Sequence, residues 1–157
     1  MKVLIVYDSR TGNTEKMAHA VADGVRDEGV EVDVKRVDEA SLDALPEVDG
    51  LILGSPVYYG LPSAKIKEFL DGSVKHHGKL DGKVGGAFAS GGGTHTGGET
   101  TVIALLEALM IHGMVVQGTS GRNHYGPVSV GAPDDASKET CRKLGQRVAG
   151  LVKKLQG

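Results

Sequence analysis

The 157-residue chain carries 39% hydrophobic and 24% charged residues, the composition of an ordinary globular protein and not of a disordered, fibrous or disulfide-stapled one. Its net charge of −2 offers no basic field to nucleic acid, its lone Cys141 cannot close an intramolecular disulfide, and no apolar run approaches the roughly 20 residues of a membrane helix. An N-terminus that runs straight into a strand pattern, with no separate signal core, makes the expectation a cytoplasmic protein with one domain over residues 1–157.

Five short apolar runs rich in β-branched residues read as strands: Val3–Tyr7, Val30–Val37, Leu51–Leu53, Val84–Ala89 and Met114–Val116. Between them, Met17, Val21 and Val25 recur at the spacing that puts one stripe on one helix face, predicting a helix over Thr14–Asp27. The same reasoning predicts helices over Ser63–Leu70, Glu99–His112 and Ala136–Leu155, with Pro62, Thr100 and Asp134-Asp135 as start signals. Strands alternating with helices imply an α/β fold: a parallel sheet covered on both faces, in three doubly wound layers. In the strand order 2-1-3-4-5 the direction of winding reverses between the first and third strands, and ligands sit beyond the strand ends at that point. The loops after strands one, three and four are therefore the ones to read.

The first is Ser9-Arg10-Thr11-Gly12-Asn13-Thr14. Three hydroxyls and a glycine ahead of a helix suit an anion, because a helix N-terminus presents unpaired N–H groups and a partial positive charge. Plain helix capping is the competing reading, but it needs only one of these residues. Neither Gly-x-x-x-x-Gly-Lys nor Gly-x-Gly-x-x-Gly is present, so the phosphate of a mononucleotide fits better than a P-loop ligand or a dinucleotide.

The second loop contains Pro56-Val57-Tyr58-Tyr59-Gly60, two of only four tyrosines side by side. They either cover the core or stack on a planar ligand. The third, Ser90-Gly91-Gly92-Gly93-Thr94-His95-Thr96-Gly97-Gly98, holds five of the chain's 24 glycines. No packing demand is evident for them from the sequence. They suit either a flexible surface loop or backbone laid against the edge of a flat ring, of which a flavin is an example.

Ser9–Thr14 resembles the phosphate loop of flavodoxins, and Gly54–Gly60 resembles the second FMN loop of the same superfamily. Within it the chain is most similar to short WrbA-like NAD(P)H:quinone oxidoreductases, through Phe69-Leu70-Asp71, Gly97-Gly98-Glu99-Thr100-Thr101, His112-Gly113-Met114 and Tyr125-Gly126. The resemblance implies a flavodoxin-like fold with FMN as cofactor. Its phosphate would fall to Ser9, Arg10, Thr11, Gly12, Asn13 and Thr14. Its ring would fall to Pro56, Val57, Tyr58, Tyr59, Gly60 and to Ser90, Gly91, Gly92, Gly93, Thr94, His95, Gly97 and Gly98. It further implies electron transfer from NAD(P)H to a quinone, with His95, His124 and Tyr125 as candidates for positioning substrate, and it allows a homodimer or homotetramer. Two departures stand out: Ile111-His112 replaces a His-His pair, and no tryptophan is available to stack on a neighbouring subunit's flavin.

The alternative within the same fold is a flavodoxin-type carrier that passes electrons between redox proteins, although a charge of −2 is small for an acidic docking face. A phosphorylated receiver domain ranks last, because Gly54-Ser55-Pro56 leaves no aspartate after the third strand. His76-His77 has no carboxylate or cysteine at ligand spacing, so no metal site is expected.

Overall fold

A computed structural model describes residues 1–157. In β1 (Lys2–Tyr7) every residue after Lys2 is buried, which requires cover on both faces of the strand. It lies between β2 (Glu31–Arg36) and β3 (Gly50–Tyr58), parallel to both, with Lys2 opposite Glu31 and Val3 opposite Gly50. A two-residue β4 (Leu61–Pro62) folds back antiparallel on the end of β3, whose other neighbour is the parallel β5 (Val84–Gly91). The remaining edge of β5 is covered in two pieces, β6 (Val115–Val116) at its start and β7 (Val128–Val130) at its end.

The sheet therefore has seven strands, with core order β2-β1-β3-β5-β6. The five-strand reading is corrected in number while the order of its parallel core stands. What was read as one fifth strand at Met114–Val116 is interrupted by residues 117–127 and resumes at β7. Pro62 lacks an N–H and Val128–Val130 is three residues long, so neither short strand carries a run that sequence periodicity would detect.

Four helices cover the faces: α1 (Asn13–Asp27), α2 (Ala64–Gly72), α3 (Gly98–Ile111) and α4 (Asp135–Gln156). Alternate residues of β1 serve opposite cores. Val3, Ile5 and Tyr7 join Met17, Val21, Leu144 and Val148 beneath α1 and α4, while Leu4 and Val6 join Ile66, Phe69, Val102 and Leu105 beneath α2 and α3. Ser63 caps α2 and Asp134 caps α4, its carboxylate accepting from Ser137 N at 2.7 Å. The helix expected over Glu99–His112 runs from Gly98 to Ile111, behind a left-handed Gly97 with φ 103°. No helix is long and apolar enough to cross a membrane.

The two helices of the first core meet backbone to backbone. A Cβ on Gly145 would lie 2.0 Å from Val21 O, and one on Gly24 would lie 1.9 Å from Arg142 O. Mid-helix glycine is unfavourable by about 0.8–1.0 kcal/mol relative to alanine, so these positions trade helix propensity for close approach. Arg142 and Gln146 then reach Asp27, with Arg142 Nη2 2.7 Å and Gln146 Nε2 3.0 Å from its carboxylate, and Arg142 holds that carboxyl below its ordinary pKa.

At the opposite edge of the sheet from the strand ends, where α3 stops ahead of β6, His112 is buried. Ser73 Oγ donates to Leu70 O at 2.6 Å, so the 2.7 Å contact between Ser73 Oγ and His112 Nε2 makes Nε2 the donor. Nδ1 is left buried without a partner. Burial first, then the charges of His77 and His76, push the His112 pKa below 6.5.

Two outcomes follow. Gly145→Ala should lose about 1–3 kcal/mol in urea unfolding through overpacking, whereas Gly150→Ala, whose Cβ would meet nothing within 4 Å, should gain about 0.5–1 kcal/mol. For His112 the folded-state pKa lies below the unfolded one, so the unfolded chain binds more protons between the two values and stability declines as pH falls below about 6.5. Denaturant midpoints measured from pH 7 downward should fall less steeply in His112→Gln.

Candidate functional site

Because β1, β3 and β5 run parallel, the segments that follow them emerge on one edge. After β1, Ser9 is buried and its Oγ accepts from Gly12 N at 3.1 Å and Glu15 N at 3.4 Å, which leaves its own proton available to donate. Gly12, at φ 86°, is the N-cap of α1 and supplies no side-chain cap. The amides of Thr11, Asn13 and Thr14 find no backbone acceptor, and the side chains of Thr11 and Asn13 make no hydrogen bond. Capping therefore accounts for Ser9 alone. Arg10 is exposed, a single cation beside the positive end of the helix.

After β3, Tyr59 (φ 51°) and Gly60 (φ 78°) form the two-residue turn into β4. Both central residues have positive φ, which is natural for glycine and strained for tyrosine. Tyr59 is wholly exposed and Tyr58 39% exposed, so Tyr59 does not cover the core. Ser55 Oγ accepts from Ser63 N at 2.9 Å and fixes the return of the hairpin. Thr100 Oγ1 shares its one proton between Gly97 O at 3.1 Å and Gly60 O at 3.2 Å, which links the turn to the start of α3.

After β5, Thr94, His95 and Thr96 are exposed, and His95 is left-handed at φ 58°. Thr96 Oγ1 donates to Gly93 O at 2.8 Å and closes the loop on itself. The expectation that packing explains none of the five glycines is corrected for two of them. A Cβ on Gly97 would stand 2.4 Å from Gly60 Cα, and one on Gly98 would stand 2.4 Å from a Val128 methyl. Gly92, by contrast, has nothing within 4 Å of its Cβ position.

The first and third segments are joined by one buried contact, Thr14 Oγ1 to Ser90 Oγ at 2.8 Å. Ser90 also sits in register with Pro56 on β3 and with Ser129 on β7. The hydroxyls of Thr14 and Ser90 are thus engaged with each other, whereas the Thr14 amide stays free. Ser129, whose Oγ contacts Met17 Sδ at 3.1 Å, was invisible to sequence reasoning because only the tertiary pairing of β7 brings it here. Nearby, burial and then the Glu15 carboxylate push the Tyr7 phenol above 10.0.

The structure does not bring His124 and Tyr125 together with these segments by any hydrogen bond. His124 Nδ1 lies 2.9 Å from Thr119 O, and Thr119 N donates back to His124 O at 3.0 Å. Arg147 Nε donates to Gln117 O at 3.1 Å, tying residues 117–127 to α4. Of the three candidates for positioning substrate, His95 alone lies in the assembled loops.

The arrangement offers free amides and hydroxyls for a phosphate ester, and beside them a tyrosine turn and an open glycine loop for a flat ring. Comparison with known proteins agrees. The flavodoxin family profile matches residues 5–143. A flavodoxin of Aquifex aeolicus is 45% identical over 160 residues, covering 96% of this chain and 86% of that protein. An NAD(P)H dehydrogenase (quinone) of Archaeoglobus fulgidus is 34% identical and covers 98% of both chains. The crystal structure of a flavodoxin, WrbA-like protein from Agrobacterium tumefaciens superposes with a TM-score of 0.86 at 29% identity over 98% of each chain. The chain belongs to the flavodoxin family of FMN-binding electron-transfer proteins.

Proposed function

We propose that FMN is held with its phosphate at Ser9–Thr14 and its ring between the Pro56–Gly60 turn and the Ser90–His95 loop, and that the chain carries electrons between redox proteins. The observation that carries this reading is the fully exposed, left-handed Tyr59 at the mouth of the assembled loops. It presents an aromatic face at the surface, where a planar group stacked on it remains within reach of a docked partner.

The donor set fits the cofactor. Phosphate oxygens can take the free amides of Thr11, Asn13 and Thr14 and the protons of Ser9 and Thr11, with Arg10 and the helix dipole adding positive charge. The open Cβ position of Gly92 leaves backbone accessible to a ring edge, and Gly97 and Gly98 let the loop close on Gly60 and Val128. When bound, FMN supplies the electron storage. The protein's groups position it: Thr14 and Ser90 fix loop to strand, and the Thr100 bond steadies the carbonyl of Gly60. His124 and Tyr125 make no hydrogen bond to these loops, although Pro127, two residues on from Tyr125, accepts from Ala89 N on β5 at 3.0 Å. A second reading, NAD(P)H:quinone oxidoreductase activity, is favoured by the full-length relative named for it.

Titration of flavin fluorescence should show Tyr59→Ala weakening FMN binding about 2- to 10-fold, from roughly 0.5–1.5 kcal/mol of stacking. Asn13→Ala should weaken it as well, and unchanged affinity in both variants would remove the ring and phosphate assignments. Under anaerobic conditions the FMN-loaded protein should keep its visible spectrum with NADH or NADPH and bleach only when a reductase protein is added. Direct bleaching by a nicotinamide, reversed by a quinone, would establish the enzyme reading instead.

A further inference from the structure

Away from the three loops, residues 117–127 lie against α4 and enclose a cleft of ≈ 200 Å³ lined by polar and charged side chains together with Gly121 and Pro127. Its walls include Thr119, Arg122, Asn123, Thr140, Lys143 and Arg147. Three cations share this small space in a chain whose net charge is −2.

Arg147 is the informative one. It is partly buried, and its Nε is spent on the Gln117 carbonyl. Neither Arg147 nor Arg122 takes part in an ion pair. Lys143 has only Glu139 Oε1 at 3.6 Å, with both side chains exposed. A partly buried guanidinium without a carboxylate gives up hydration without an opposite charge in return, and its burial lowers the Arg147 pKa. Its two terminal nitrogens have no protein acceptor, which is the fork that binds phosphate oxygens in pairs. Around it, Thr119 Oγ1 accepts from Gly121 N at 3.2 Å and keeps its proton to donate. Thr140 gives its proton to Ser137 O at 2.8 Å and serves only as wall.

We propose that this cleft is a binding site for a phosphate monoester or inorganic phosphate, separate from the phosphate loop at α1. With the Glu139 carboxylate beside Lys143, the three cations leave a local charge of +2, the counterpart of a phosphate dianion, and the volume suits a compact anionic head group better than an extended polyanion. Two sources share this chemistry, free phosphate and the 2′-phosphate of a nucleotide such as NADP+. The proposal does not depend on the carrier reading.

The test uses FMN-loaded protein and amide NMR at fixed ionic strength, with inorganic phosphate, NADP+ and NAD+ as separate probes. Saturable shifts at residues 119–123 and 143–147 are expected with inorganic phosphate or NADP+. Arg147→Gln and Arg122→Gln should each weaken binding about tenfold or more. Arg122 makes no protein hydrogen bond, so its variant tests the site even if Arg147→Gln disturbs the fold. NADP+ binding more tightly than phosphate, with NAD+ silent, supports the site and identifies a 2′-phosphorylated nucleotide. Phosphate binding as tightly as NADP+, with NAD+ silent, supports it and identifies free phosphate. Equal binding of NADP+ and NAD+, no saturable shift with any probe, or undiminished affinity in both variants overturns the proposal.

Discussion

β1, β3 and β5 lie covered on both faces over nearly their whole length, and a buried polar group without a partner is costly in such surroundings. Polar chemistry is therefore displaced to where the strands stop, and parallel pairing puts all those ends on one edge. The Thr14–Ser90 contact is the polar bond that ties helix to strand at that edge. Since both hydroxyls are buried, each depends on the other, and the first turn of α1 is fixed against β5 by a bond for which water offers no ready replacement. The openness of the Ser9–Thr14 loop thus rests on a closed, buried pair directly behind it.

Much of this was legible in the sequence, for reasons that can be traced to particular residues. The central strands announced themselves because burial on both faces leaves an unbroken apolar run such as Val3–Tyr7. The helices announced themselves through stripes such as Met17, Val21 and Val25. The Ser9–Thr14 loop could be singled out as a candidate anion site because hydroxyls, glycine and asparagine ahead of a helix are a local arrangement. The split edge of β5 was not legible, because β6 and β7 are too short to carry a pattern and owe their pairing to β5 itself. Gly97 and Gly98 were read for the wrong reason, since their neighbours Gly60 and Val128 are distant in sequence. His124 and Tyr125 entered as candidates near the ring face, on a segment that Arg147 ties to α4 and Pro127 ties to Ala89 on β5.

The surface around the loops also bears on how electrons would leave. Tyr58, Tyr59 and Leu61 are exposed at one rim, and His95 stands at the loop opposite. This is an aromatic and aliphatic rim with little charge, suited to a partner that docks through modest apolar contact and leaves again, as transient redox encounters do.

The backbone contact between α1 and α4 has a consequence for how the chain is made. Gly145 and Cys141, Leu144, Val148 and Val152 beside it follow every strand in the sequence, so on a ribosome α1 and the central strands β1, β3 and β5 emerge well before the helix that covers them. For that interval Val3, Ile5, Met17 and Val21 have one wall missing, and a nascent chain halted short of α4 presents a sticky apolar trough to chaperones and proteases. Quality control of this protein during synthesis would therefore turn on whether its last helix arrives.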